Sequence, residues 1–294
     1  MKICQFHTDN ETIHVGLVVD DHVVAIEAAA AEAGLSHLAS ATSIALLSIT
    51  SNERVAIQRA AARLNGAPIS DLRLAPPIST PEKIICLGLN YRDHAAETGL
   101  PLPKAPILFP KFREALIGHR ETIRPPIGDH DIDYEAELAL VIGRGGRNIQ
   151  HEDALDQVGG YMPFNDVSAR DLQNITTQWT AGKAIDTFGP GGPYLTTADE
   201  VIDPQALRIR ARVNGETLQD GTTADMIFDI AEQIEFISSL MTLKPGDIIA
   251  TGTPAGVGFT RNPQILLHDG DIVEVEIEGL GILSNPVGAP NRTT

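Results

Sequence analysis

Residues 132–143 read Ile-Asp-Tyr-Glu-Ala-Glu-Leu-Ala-Leu-Val-Ile-Gly. Side chains alternate faces along a strand, so this stretch predicts one long strand with Asp133, Glu135 and Glu137 on one side. Tyr134, Ala136, Leu138 and Leu140 take the other side and read as core. Same-face carboxylates two residues apart stand about 6.5–7 Å from one another at the backbone. The nearest basic residue downstream is Arg144, so nothing local neutralises them. Two readings stay open. The strand lies at an edge with its acidic face in water, or two carboxylates converge on one cation, which removes their repulsion.

The neighbouring segments follow the same grammar. Residues 83–88, 161–167, 207–213, 248–251 and 271–277 are further strand candidates, and Asn214-Gly215 is a tight hairpin turn because both residues tolerate φ > 0. The opening, residues 2–26, reads as a small antiparallel meander with turns at Asp9-Asn10 and Asp20-Asp21. Helices are expected over residues 26–33, ending at Gly34, over 52–64 behind Ser51 or Asn52 as N-cap, and over 225–241. Many short strands with Gly/Pro turns and few helices indicate a mainly β fold with some α, an α+β roll or barrel. The rigid run Ala75-Pro76-Pro77-Ile78-Ser79-Thr80-Pro81 divides an expected small N-terminal α/β domain (1–75) from a main domain (79–294).

The chain has 294 residues and a formal net charge of −17. Such a surface repels nucleic acid and anionic lipid, so neither is an expected partner. An anionic substrate would need local cations or a metal. Cys4 and Cys86 lie in apolar runs and read as buried free thiols. With no apolar stretch near 20 residues and no leader pattern at MKICQFHTDN, a reducing, cytoplasmic setting is expected.

Four more segments carry candidate chemistry. In Phe164-Asn165-Asp166-Val167-Ser168-Ala169-Arg170-Asp171, a strand ends in a polar turn, where Asp166 is either a helix N-cap or a third carboxylate for a hard cation. Three oxygen ligands with open positions suit Mg²⁺ or Mn²⁺ better than Zn²⁺. In Asn90-Tyr91-Arg92-Asp93-His94-Ala95-Ala96-Glu97, a helical turn would set His94 and Glu97 at i and i+3. That pairing is common on surface helices, and it is also the arrangement of a water-activating dyad. Lys183, alone in a Gly-bounded neutral run, is either solvated or the anion-binding cation that the acidic surface lacks. Residues 252–258, Gly-Thr-Pro-Ala-Gly-Val-Gly, match neither a phosphate loop nor a dinucleotide fingerprint, yet their amides could cradle a carboxylate.

Taken together, Gly88-Leu89-Asn90-Tyr91-Arg92-Asp93-His94, Asp133-Tyr134-Glu135-Ala136-Glu137-Leu138, Asn165-Asp166-Val167-Ser168-Ala169-Arg170-Asp171, Gly182-Lys183 and Thr251-Gly252-Thr253-Pro254 resemble the fumarylacetoacetate hydrolase family from about Pro81 to Val287. The resemblance implies a mixed β-roll, usually a homodimer, with Glu135, Glu137 and Asp166 ligating Mg²⁺ or Mn²⁺. It implies a general-base dyad of His94 and Glu97 on a mobile lid, and contacts from Lys183, Gln173 and Thr253 to a small oxo-acid substrate. Lys111 is carried over as a basic residue near the site. Asn90 stands where longer members have a fourth acidic ligand, which leaves that position to substrate or water. The implied reaction is hydrolysis of a C–C bond in a 1,3-diketo acid of the acylpyruvate or fumarylpyruvate type, through an enolate that the metal stabilises as a Lewis acid. An oxaloacetate decarboxylase or a 2-hydroxymuconate-type isomerase on the same site is the second expectation. A metal-binding protein without turnover is the third.

Overall fold

The computed structural model describes residues 1–8 and 12–290. The expected turn at Asp9-Asn10 lies outside the described residues. The decisive stretch forms strands, but in two pieces, Ile132–Asp133 and Ala136–Ile142. It is central rather than at an edge. Ala136–Ile142 pairs on one side with Val158–Asn165 and on the other with Ile248–Ala250, both antiparallel. Every residue of it is buried, which excludes an acidic face in water.

That strand sits inside an eleven-stranded sheet. From one edge to the other, the order of ten strands is Ala67–Pro68, His22–Ala25, Ile13–Val19, Lys2–His7, Leu195–Thr197, Val158–Asn165, Ala136–Ile142, Ile248–Ala250, Ile84–Gly88 and Ile107–Lys111, and Leu74–Ala75 pairs with Lys2–His7. The N-terminal meander is therefore continuous with the main sheet through Lys2–His7 against Leu195–Thr197. The hydrogen-bond ladder crosses the boundary expected near residues 76–79.

Both faces of the sheet are covered, and alternation along the central strand assigns its residues to two cores. Ala136, Leu138, Leu140 and Ile142 pack with Ile209, Ala211, Val273 and Val275 of a second, four-stranded antiparallel sheet and with Ile230, Ile234 and Ile237. Ala139 and Val141 pack the opposite way, with Ile3, Leu17, Ala29, Ala30 and Ile57. Each Val, Leu or Ile among them taken from water contributes roughly 1.5–3 kcal/mol, and each Ala less. Glu137, between two apolar core positions, thus lies in a place where only a paired or metal-bound charge is tolerable.

The helices follow local signals closely. Ile26–Ala33 ends at Gly34 in the left-handed conformation. Ser51–Ala61 starts one residue before expectation because Thr50, with Glu53, makes a capping box. The third helix begins later than its periodicity suggested, at Ile230: Asp229 and Glu232 form a second capping box, and Thr223–Asp225 makes a separate 3₁₀ turn. The Asn214-Gly215 turn has positive φ at both residues. Cys4 and Cys86 are buried free thiols, and burial pushes the Cys4 thiol up to about 12. No described helix is long and apolar enough to cross a membrane.

A buried carboxylate cluster facing a His–Glu pair

Glu135 and Asp166 meet because the ladder between Ala136–Ile142 and Val158–Asn165 ends where it does. Ala136 is the partner of Asn165, so Glu135 and Asp166 form the next step beyond it. The step is fixed by hydrogen bonds from the Asp166 amide to the Glu135 carbonyl (3.0 Å) and from the Glu135 amide to Asn165 Oδ1 (3.0 Å). Glu137 joins from inside the strand. One oxygen from each of Glu135, Glu137 and Asp166 lies within 4.8 Å of the others, and all three residues are buried.

Three cations converge on these acids from distant parts of the chain. The Lys183 ammonium donates to Glu135 Oε2 (2.8 Å) and Asp166 Oδ2 (2.7 Å). Lys111 Nζ lies 2.7 Å from Asp166 Oδ1. Arg170 pairs with Glu135 Oε1 through Nη1 (2.7 Å) and with Asp133 Oδ2 through Nη2 (2.8 Å). Burial alone would raise the Glu135 carboxyl, but Lys183 and Arg170 outweigh it and hold the group well below the usual range. Burial likewise opposes the Lys183 ammonium, and Asp166 and Glu135 more than restore it.

Glu137 is left over. Its Oε2 accepts the Gly252 amide (3.0 Å), whereas Oε1 is buried with no hydrogen-bond partner. Burial, followed by the nearby Asp166 and Glu135, pushes its carboxyl well above the ordinary value. Four carboxylates, counting Asp133, face three cations, so one negative charge has no counterpart within the cluster. An orphaned carboxylate oxygen among three converging oxygen donors fits a hard divalent cation. The third carboxylate expected on this face, Asp133, does not converge. The strand is interrupted at Tyr134–Glu135, and Asp133 instead accepts the amides of Gly258 (2.7 Å) and Phe259 (3.1 Å) as well as Arg170.

The predicted helical turn is present as Arg92–Thr98, and His94 Nδ1 lies 2.9 Å from Glu97 Oε2. Burial would raise the Glu97 carboxyl, but hydrogen bonds from His94, Gly256 and Thr260 hold it below its ordinary value. An anionic Glu97 makes Nδ1 the donor, so in the neutral ring the lone pair sits on Nε2. His94 lines a cavity of about 320 Å³ together with Glu135, Arg170, Gln173, Lys183 and Thr253. Its remaining wall is mainly apolar, including Leu89, Leu100, Ile107, Phe109 and Trp179, with Thr98 and Asn174 as polar members. Gly88 permits this wall: a Cβ there would stand 2.1 Å from the Trp179 ring.

Other expected contacts are differently arranged. Gln173 Oε1 accepts from Arg170 (3.0 Å), and its amide nitrogen has no partner among the described residues, so it can donate into the cavity. The Thr253 hydroxyl is committed, donating to the Ala136 carbonyl (2.8 Å) and accepting from Gln219 (2.8 Å). Lys111 does not line the cavity. Its ammonium is surrounded by the carbonyls of Val167, Lys183 and Phe188 and by Asp166 Oδ1, so it is committed to the protein rather than to the cavity. Asn90 serves the backbone, donating to the Phe228 and Thr251 carbonyls and accepting the Phe228 amide.

Arg170, four residues beyond Asp166, joins the site although nothing in its local sequence marks it. The amides of residues 252–259 do cradle carboxylates, those of the chain itself: Gly252 to Glu137, Ala255 to Asp93, Gly256 to Glu97, and Gly258 and Phe259 to Asp133. Gly256 has φ +106, and a Cβ there would meet the Leu218 carbonyl at 2.3 Å, so a glycine is required to present that amide.

Known proteins resemble this chain in sequence and in fold. The family model described as fumarylacetoacetate (FAA) hydrolase C-terminal matches residues 83–288. The chain is 49% identical over 220 residues to the Xenopus laevis protein named oxaloacetate tautomerase fahd2, mitochondrial, covering 74% of this chain and 69% of that one. It is 44% identical over 235 residues to Homo sapiens oxaloacetate tautomerase FAHD2A, mitochondrial, covering 79% and 75%. Among solved structures, a putative HpcE protein from Mycobacterium smegmatis superposes with TM-score 0.81 at 34% identity, over 99% of this chain and 100% of that one. Maleylpyruvate hydrolase from Sphingobium sp. SYK-6, in complex with manganese(II) ion and pyruvate, superposes with TM-score 0.80 at 32% identity, over 99% and 100%. The chain belongs to the fumarylacetoacetate hydrolase family.

Proposed function

We propose that this protein is a Mg²⁺- or Mn²⁺-dependent enzyme that moves a proton on a 2-oxo acid, with keto–enol interconversion of oxaloacetate as its primary reaction. The observation that carries the reading is one cavity lined both by Glu135, from the Glu135–Glu137–Asp166 cluster, and by His94, whose ring is held by Glu97. The names of the 44–49% identical relatives favour oxaloacetate.

A divalent cation held by Glu135, Glu137 and Asp166 would supply Lewis-acid polarisation of the 2-oxo group. The remaining work falls to the chain. Gln173, through its unpaired amide, and Lys183 bind and orient the substrate's oxygens. His94 Nε2 takes the proton from C3, and that C–H pair becomes the C2–C3 double bond while negative charge moves to the 2-oxygen. His94 then delivers the proton to that oxygen, which gives the enol; the reverse sequence gives the ketone. Glu97 stabilises the imidazolium formed in between. The apolar wall excludes water, which keeps the proton from leaking to solvent.

That same wall favours a second reading, hydrolysis of an acylpyruvate whose acyl chain lies against Leu100, Ile107, Phe109 and Trp179. There His94 would deprotonate water instead of carbon.

One panel tests both. Oxaloacetate, acylpyruvates, fumarylpyruvate and a hydroxymuconate are each followed by ultraviolet absorbance and by pyruvate release, with Mg²⁺, Mn²⁺ or chelator. The expected result is metal-dependent loss of the oxaloacetate enol band without stoichiometric pyruvate. Rapid pyruvate release from acylpyruvates would promote the second reading. Uncatalysed rates with every 2-oxo acid would refute both.

A further inference from the structure

The His94–Glu97 helix is short. Arg92–Thr98 spans seven residues, ends at Gly99 with φ +68, and buries only His94 and Ala95. A helix of this length has no stability of its own in water, so its position depends on what it is docked to. Two side chains fasten it to the Gly-rich loop. Asp93 Oδ2 accepts the Ala255 amide (3.2 Å), and Glu97 Oε1 accepts both the Gly256 amide (2.9 Å) and the Thr260 hydroxyl (2.9 Å).

The loop is a firm anchor because the metal-site strand grips it. Tyr134 Oη donates to the Gly256 carbonyl (3.0 Å), as does Arg261 Nε (3.2 Å), and Asp133 holds the amides of Gly258 and Phe259. Of the donors on Glu97 Oε1, only the Thr260 hydroxyl has a choice. Its single proton faces Glu97 at 2.9 Å and the Val257 carbonyl at 3.0 Å. With Glu97 present, the charged acceptor is the stronger one. When the helix lifts away, the hydroxyl can turn to Val257 and keep a hydrogen bond, whereas the Ala255 and Gly256 amides lose their carboxylate acceptors, so Thr260 is the one fastening that can be exchanged.

We propose that Thr260 is a positioning residue for the catalytic pair, a two-position latch whose hydroxyl holds Glu97, and through it the His94 ring, at the cavity shared with Glu135, and keeps a hydrogen bond of its own to Val257 on release. The proposal rests on the reading of His94 as the base, but it can be judged without it. Thr260→Val removes the hydroxyl at nearly constant shape, and Thr260→Ser keeps it. Hydrogen exchange of the amides of residues 92–99 is measured by mass spectrometry on the full chain with Mg²⁺, alongside kcat and KM for oxaloacetate. In Thr260→Val, exchange of that segment should rise several-fold and kcat should fall roughly tenfold, the loss of one hydrogen bond to a charged group, with KM within about twofold. Thr260→Ser should restore both to within about twofold of wild type. Wild-type exchange in Thr260→Val would overturn the latch, whether or not kcat falls, and so would a Ser variant as impaired as the Val variant. If the wild-type protein turns over no 2-oxo acid, the proposed function fails, and exchange of residues 92–99 still decides the latch.

Discussion

Glu137→Gln is expected to lower divalent-metal affinity and turnover on the order of 10²-fold or more, while leaving the metal-free protein at least as stable as wild type. The two effects run in opposite directions for one reason. A ligand's loss should exceed the 10–100-fold typical of residues that merely support ligands. Without metal, however, Glu137 is a buried carboxylate whose Oε1 has no partner and whose neighbours Asp166 and Glu135 repel it. A glutamine keeps the acceptor for the Gly252 amide and removes the charge. The pH dependence has a definite sign. The folded-state pKa of Glu137 is raised, so its contribution is fully present below the ordinary carboxylate value of 4.5 and is lost as pH rises through the raised value. Metal-free wild type should therefore lose thermal stability as pH rises, and Mg²⁺ should restore it by mass action, about 4 kcal/mol at a thousandfold excess over Kd. Glu137→Gln should show a weaker pH slope and little Mg²⁺ shift. Thermal unfolding across pH, with chelator and with Mg²⁺, checks this. A Gln variant that retains the full Mg²⁺ shift would remove Glu137 from the metal site.

His94→Ala should produce the second large effect, a loss of turnover of about 10²–10⁴-fold, with the Mg²⁺-induced thermal shift intact. His94 shares the cavity with Glu135 of the cluster but makes no hydrogen bond to Glu135, Glu137 or Asp166; its ring partner is Glu97. The two variants should therefore separate the functions: one loses metal and activity together, the other loses activity alone. Steady-state kinetics with saturating metal, paired with metal titration, makes the comparison. Unchanged turnover in His94→Ala would move the base elsewhere.

Local chemistry made part of this site legible in the sequence. The period of two through residues 136–142 and the i, i+3 spacing of His94 and Glu97 are properties of backbone geometry, and both took the expected form. The same period misled at Asp133, because alternation assumes an unbroken strand and this one breaks at Tyr134 and Glu135. It was also blind to depth. An acidic residue on an alternating strand has the same sequence pattern at a wet edge as in a core covered on both faces, and only the neighbouring strands show which. Long-range pairing was hidden for a similar reason. Lys183 lies 48 residues from Glu135, Lys111 lies 56 from Val167, and Gly256 lies 159 from Glu97. No local periodicity reports such distances. The Gly-rich loop was read as a cradle without an occupant, and its occupants turned out to be side chains from two other segments of the chain.

This network also explains why an acidic protein can keep four carboxylates in so small a volume. Each of Asp133, Glu135 and Asp166 has a cation beside it, and Asp133, Glu137 and Glu97 each have loop amides. Removing one cation would leave an uncompensated buried charge, which costs far more than a surface ion pair contributes. Among these four, Glu137 has no cation beside it and keeps an unpartnered oxygen, which marks where the neutralising charge belongs.

Diffraction from crystals soaked in Mn²⁺, with data collected at an energy where manganese scatters anomalously, tests this assignment most directly. The predicted result is a single strong anomalous peak contacted by oxygens of Glu135, Glu137 and Asp166, with the Lys183 ammonium shifted from its seat between Glu135 and Asp166. No peak there, with Lys183 still bridging those two carboxylates and Glu137 Oε1 still unpartnered, would contradict it.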